Sequence, residues 1–500
     1  MANLKYFYIF IIIIIVFSSR FFFSLDEMSY FSADPVIYEA AVKEFSLANK
    51  IPHLPGYYLY VKTINFLQFL GFSPSYGQVF FSIIFSVFSA IIFFLLFNKF
   101  LDYKKSFFLL LLMFSNPGIY FYGVVNENYI FDLFAGGLIY YISFHRTKIL
   151  LLFPILALIA GFRQTTGLLC IPLVLYIFWE NRLYIKNNII KMSLNFILSI
   201  IIFLAWFMPM VSSIGGASEY FSRFIYDSPI PKSTFFKNLS AMISITFYFF
   251  VPILLLILLN FNKFKKIKFN FKNIDYKLIL WFFTPILFFM IFHYNKGYIL
   301  LPIGVIFILL ALFYSQNKLN NKFIIIIIIL QLLFYFLTPM SQPNYQIYLQ
   351  SEKRNISKLE TWAERMLTKW LPTNSHIEYL NKYHKSVNLF CKKVNEINYI
   401  DTLIILPTID TDAFTFSIRI PEKTIIRVSK TFVVSMNDCI VENELIDLEN
   451  IKNKYFISNT EFIQDKFEDS INIIYKFDDL ILFTNPKFNE MLSFIENAQK

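Results

Sequence analysis

Apolar residues run along this chain in long stretches, separated by short polar breaks. The stretches near residues 5–24, 77–97, 106–123, 128–144, 189–211, 237–259, 278–293, 298–314 and 323–339 carry almost no charge. Each approaches the roughly 20 apolar residues that a helix needs to cross a bilayer core. The pattern predicts an α-helical polytopic membrane protein with about 9–12 membrane helices. The first stretch has signal-peptide character but lacks a small-residue cleavage site, and more spans follow, so it reads as an uncleaved signal-anchor. Residues 149–178 are too long for one simple span and are interrupted by Gly161-Phe-Arg-Gln-Thr-Thr-Gly167. Two helices of about 11–12 residues rise only about 17 Å each, short of the roughly 30 Å core. This predicts a hairpin reaching partway in from the cytoplasmic side, with Arg163 and Gln164 at depth. Residues 53–70 are apolar but interspersed with His53, Lys62, Asn65 and Gln68, and read as an amphipathic helix on the outer interface.

Beyond residue 340 the pattern changes. A polar, helix-like stretch from Ser351 to Asn395 gives way to β-rich runs: Thr402–Leu406, Thr424–Val428, Tyr455–Ser458, Ile471–Tyr475 and Leu480–Phe483. These predict a soluble α/β domain over 341–500, following a membrane module over 1–340. The tail holds no glycine-rich phosphate loop and no nucleophile elbow.

Composition agrees with the membrane reading: 57% of the 500 residues are hydrophobic and 20% aromatic, above the roughly half expected of a soluble domain. Charge adds orientation. Residues 1–340 carry a net +14 and residues 341–500 a net −3. With the N-terminus in the cytoplasm, the loops on that side hold the lysines and arginines, including six lysines between Lys263 and Lys277. That orientation predicts a multi-pass protein of the plasma (inner) membrane, with 25–76, 124–127, 212–236, 294–297 and the whole tail outside. The basic charge is topological, so no nucleic-acid partner is expected. The three cysteines, Cys170, Cys391 and Cys439, have no metal-ligand spacing.

Five groups with chemical potential fall on the outer side. The first outer loop holds Asp26, Glu27 and Asp34 beside Tyr30 and Tyr38, and His53 follows. A carboxylate close to a hydroxyl or amine can take its proton during attack, although acids at a membrane exit are often only solvated. Glu127 sits in a very short outer loop. Arg163, with Gln164, interrupts an apolar segment; such charge marks a site or a structural pair, and arginine suits a bidentate grip on phosphate. Lys296 and Tyr298 lie at the outer end of a helix hairpin, as headgroup ligands or as interfacial anchors.

The order of these motifs resembles the GT-C superfamily of membrane glycosyltransferases, notably the protein O-mannosyltransferases and the aminoarabinose-type lipid glycosyltransferases. That superfamily has an acidic motif in its first outer loop, followed about eighteen residues on by His-Pro-Pro. Asp26-Glu27-Met-Ser-Tyr30 matches the dipeptide, while Asp34 matches the spacing to His53-Leu-Pro55. Lys296-Gly-Tyr-Ile-Leu-Leu-Pro302 is similar to the family's basic-Tyr-Leu-Leu-Pro hairpin, and Gly161-Phe-Arg-Gln and Glu127 resemble its mid-chain basic break and second outer acid. The likeness covers about residues 5–340. It implies an inverting glycosyltransferase with a polyprenyl-phosphate-linked sugar donor, an extracytoplasmic acceptor and membrane lipids as partners, and no cofactor or metal. Asp34 or Asp26 would be the base, with Glu27 beside it. Tyr30, Tyr38, His53, Glu127, Arg163, Gln164, Lys296 and Tyr298 would bind substrate. The alternatives are a flippase or transporter of lipid-linked sugars, disfavoured by spans nearly free of charge, and a polysaccharide polymerase or ligase.

Overall fold

The computed structural model describes residues 2–226, 239, 254–256, 258–259, 275–292, 296–316, 321–338, 373–397, 402–405, 418–419, 424–428, 433–437, 440–445, 455–459, 472–477 and 480–484. These residues form two compact units. The first comprises Met1–Leu25, the described parts of Leu54–Met340, and Trp370–Ile377; the second comprises Asp26–His53 and the described parts of Glu378–Lys500. Most of the expected span 237–259 lies outside the described residues.

The first unit is helical: α1 (Ala2–Phe21), α3 (Tyr58–Phe69), α4 (Pro74–Phe97), α5 (Tyr103–Phe114), α6 (Pro117–Tyr122), α7 (Ile130–Ser143), α8 (Leu152–Phe162), α9 (Gln164–Glu180), α10 (Arg182–Asn187), α11 (Ile189–Ser212), α12 (Ala217–Tyr226), α13 (Tyr276–Ile291), α14 (Leu300–Gln316) and α15 (Asn321–Leu337). The starts follow local chemistry. Ser73 accepts from the Tyr76 N–H ahead of Pro74, Asp102 from the Lys105 N–H, and Asp275 from the Lys277 N–H. Asn116 and Pro117 start α6 and divide the expected span 106–123 into two helices.

Among the described residues, four helices are long and apolar enough to cross a membrane, at Leu4–Phe21, Pro74–Phe97, Ile189–Ser212 and Gly297–Gln316; five shorter apolar helices accompany them. Large apolar side chains such as Phe10, Leu194, Ile201 and Leu330 are exposed on these helices, as suits a surface whose solvent is lipid. Helix α4 packs against α1 and α7, and α14 against α7 and α13. Small residues allow the closest approaches. A Cβ on Gly136 of α7 would lie 2.4 Å from the Trp281 Nε1, and one on Gly137 2.9 Å from Phe93.

The expected break in 149–178 falls at Arg163, whose backbone is extended (φ −148°, ψ 104°) between α8 and α9. The two helices fold back on each other there. A Cβ on Gly167 would meet Ala160 Cβ at 2.6 Å and its Cα at 2.8 Å, so only glycine fits beneath the bend.

The second unit contains α2 (Ala33–Lys43), most of α16 (Asn374–Asn395) and a seven-stranded sheet. Helix α2 was expected as loop. Asp34 in its first turn and Lys43 in its last suit the helix dipole, and residues 35–42 are buried. The strands are β1 (Thr402–Ile405), β2 (Thr424–Val428), β3 (Val433–Asn437), β4 (Ile440–Leu445), β5 (Phe456–Asn459), β6 (Asn472–Phe477) and β7 (Leu480–Thr484), in the order β4-β3-β2-β1-β5-β7-β6. β1 runs parallel to β2 and β5, and the other pairings are antiparallel.

Candidate functional site

The base candidates lie in the second unit. Asp34 stands in the first turn of α2, where the helix N-terminus favours a carboxylate. Its Oδ1 lies 3.9 Å from His53 Nδ1, and both side chains are about one-third exposed (35% and 36%). A carboxylate so placed is open to a reactant and has a basic neighbour. The His53 ring also faces Tyr38, with centroids 6.0 Å apart, while Tyr38 itself is buried. The expected grouping of Asp34, Tyr38 and His53 therefore forms. Asp26 and Glu27 are both exposed, and the Asp26 backbone N–H donates to Asn381 Oδ1 at 2.8 Å.

Tyr30 is placed differently from a substrate ligand. It is 2% exposed. Its hydroxyl donates to Glu39 Oε2 at 2.5 Å and accepts from Arg419 Nη2 at 2.9 Å. The phenol is hydrogen-bonded by the protein on both sides. His384 Nε2 donates to the Tyr30 carbonyl at 2.9 Å, so the imidazole holds its proton there and its Nδ1 is the buried bare nitrogen. Burial, and more weakly Arg419, push the His384 pKa down to about 4. Between its ordinary value of 6.5 and about 4, the unfolded chain binds a proton that the folded unit refuses. Stability is then full above pH 6.5 and falls as pH drops through that window, by up to about 3 kcal/mol. Thermal unfolding at pH 7 and pH 4.5 should show this loss, and His384→Gln, which keeps an N–H donor, should remove most of the difference.

The first unit holds a second constellation at the α8–α9 bend. Arg163 is 2% exposed and forms an ion pair with Asp132 of α7, Nε to Oδ1 3.1 Å. Its Nη1 donates to Asn128 Oδ1 at 2.6 Å, and Thr166 donates to Asp132 Oδ1. The guanidinium lies over the rings of Tyr129 (4.6 Å) and Tyr298 (5.4 Å). Tyr298 in turn stacks on Phe289 at 4.4 Å. The short turn Lys296–Ile299 approaches Tyr129 so closely that a Cβ on Gly297 would lie 2.2 Å from its ring. The Lys296 side chain lies outside the described residues. Glu127 is buried, and its carbonyl accepts from Ser82 Oγ at 2.8 Å. Gln164 contacts the Met210 sulfur at 3.5 Å. Tyr57, at the start of α3, is buried in the left-handed region (φ 45°), a strained conformation for a tyrosine, and it interacts electrostatically with Arg163.

Of the groups expected on the outer side, Arg163 and Tyr298 stand together here, with Asn128 and Tyr129, which follow Glu127. The reading missed Asp132 and Asn128, and it took the spans as nearly free of charge. Asp132 in α7 and Arg20 in α1 correct that: both are buried, and Arg20 Nη2 donates to the Phe114 carbonyl at 2.5 Å. An acid inside an apolar helix requires a cation elsewhere, and Arg163 was the visible candidate. Among the described residues, no cluster of three or more potential metal ligands occurs.

No protein-family description matches the chain, and no curated protein matches it by sequence. Two solved structures of ArnT from Cupriavidus metallidurans are similar to it. The chain bound to undecaprenyl phosphate superposes with a TM-score of 0.58 over 97% of this chain and 98% of that one, at 10% identity. The apo form gives 0.61 over 96% and 98%, also at 10% identity. The likeness runs end to end, through both units.

Proposed function

From the GT-C fold of this chain, we propose that it is a membrane glycosyltransferase taking its sugar from a polyprenyl-phosphate carrier. The observation that carries the reading is the end-to-end likeness to a chain crystallised with undecaprenyl phosphate. In this reading the acceptor's hydroxyl or amine attacks C1 of the sugar from the side opposite the phosphate. The C1–O bond breaks, its electron pair leaves with the polyprenyl phosphate, and C1 inverts. Asp34 takes the acceptor's proton, supported by its exposure and by the nearby His53. Lys296 meets the charge on the departing phosphate. Arg163 is already neutralised by Asp132, so a phosphate would have to compete with a buried carboxylate. This favours Arg163 as the residue that holds Tyr129, Tyr298 and Asn128 in place. Glu127 orients acceptor or sugar. The reaction faces the extracytoplasmic side, and the C-terminal residues form an α/β domain there.

The test uses the purified chain in vesicles, with a panel of radiolabelled undecaprenyl-phosphate hexoses and pentoses and with extracted envelope lipids and glycans as acceptors. Label should become covalently attached to an acceptor. Movement of label between leaflets with no covalent product would sink the reading in favour of a flippase.

A further inference from the structure

We infer that the C-terminal segment is a working part of the transferase, holding the loop that carries its base through Tyr30. The inference rests on the transferase reading above for its catalytic half only. Tyr30 lies four residues before Asp34 and is fixed from three directions. Its hydroxyl donates to Glu39, which sits on α2, the same helix as Asp34. The same oxygen accepts from Arg419, whose Nη2 also donates to the Met28 carbonyl at 2.9 Å. The Tyr30 carbonyl accepts from His384 on α16. The Asp26 N–H donates to Asn381 on the same helix.

The chemistry fits holding rather than binding. Glu39 is 8% exposed and Tyr30 2%, so both are shielded from solvent. A buried carboxylate needs donors, and the phenol supplies one that Arg419 orients. The Arg419 guanidinium also lies 5.2 Å from the Tyr30 ring centroid. Three groups separated from Tyr30 by more than 350 residues of sequence thus meet on residues 26–30. A short tether between a fixed loop and the first turn of α2 restricts where the Asp34 carboxylate can stand, and such orientation governs the rate of the chemical step. Tyr30 is accordingly a positioning residue, as are Glu39, His384 and Arg419.

The test compares the full chain in nanodiscs with Tyr30→Phe, Arg419→Ala and Arg419→Lys, by amide hydrogen exchange and by transfer from the undecaprenyl-phosphate sugar panel. Tyr30→Phe keeps the ring, so a folding failure is not expected; Arg419→Ala leaves Tyr30 itself intact. In both, exchange over residues 26–43 should rise at least tenfold, with helices α4 and α7 unchanged. The kcat should fall about tenfold with the donor KM within twofold, and Arg419→Lys should restore part of it. Unchanged exchange and unchanged kcat in Tyr30→Phe and Arg419→Ala would overturn the inference. So would raised exchange with kcat unaltered. If the wild type transfers no sugar while the variants still loosen 26–43, the transferase reading fails and the tether stands.

Discussion

Asp34→Asn should lower kcat for sugar transfer by about 10³-fold or more, leaving the donor KM within a few-fold. General-base catalysis contributes roughly 10²–10⁴-fold, and an amide of the same shape retains no basic lone pair. The fold should survive. Asp34 is about one-third exposed, and its helix-dipole contribution is worth only about 0.3–1 kcal/mol. Asp26→Asn and Glu27→Gln should stay within about threefold of wild type, since both side chains face solvent. His53→Ala should give an intermediate loss of about tenfold, because its ring stands 3.9 Å from Asp34. Initial rates for the four variants in one vesicle preparation decide the matter. Full activity in Asp34→Asn with loss in Asp26→Asn would move the base to Asp26.

This choice between two acids shows what one sequence can convey. The spacing from Asp34 to His53 is visible in the chain, and the pair does form. The Asp26–Glu27 dipeptide is equally visible, but its exposure depends on what α16 covers. Hydropathy located the helices because lipid demands long apolar runs with every backbone group paired. It also located the bend at Arg163, since a cation in an apolar stretch cannot be accidental. It could not give that cation's partner. Asp132 lies 31 positions earlier, in a run that looked like any other span.

The tail repeats the lesson. Runs rich in isoleucine and valine marked five strand positions, but β3 and β4 escaped. Val433–Asn437 and Ile440–Leu445 carry Ser, two Asn and two Glu among their apolar residues, and their place in the sheet comes from antiparallel partners. Tyr30 looked like a ligand because tyrosine beside acids often is one. Its true neighbours, His384 and Arg419, become visible only once the chain has folded.

The bend at Arg163 gives the second large effect. Arg163 and Asp132 are each 2% exposed and 3.1 Å apart. Removing either leaves the other charge buried without its counter-ion, which typically costs about 3–5 kcal/mol. Arg163→Met and Asp132→Leu should each cost about that much in unfolding measured in detergent or lipid. The charges cancel in the pair, and replacing a buried pair with apolar residues of similar volume is often neutral or stabilising. The double variant should therefore recover most of the loss, although Asn128 and Thr166 lose partners. Equal and additive losses would mean that the ion pair is not what holds the bend. The recovered double variant also separates the two roles open to Arg163. If Arg163 only maintains the packing of Tyr129 and Tyr298, undecaprenyl phosphate should bind the double variant within about threefold of wild type. If Arg163 grips the lipid phosphate, the double variant should be stable yet bind it at least tenfold more weakly, because methionine can pack in that space but cannot donate a hydrogen bond.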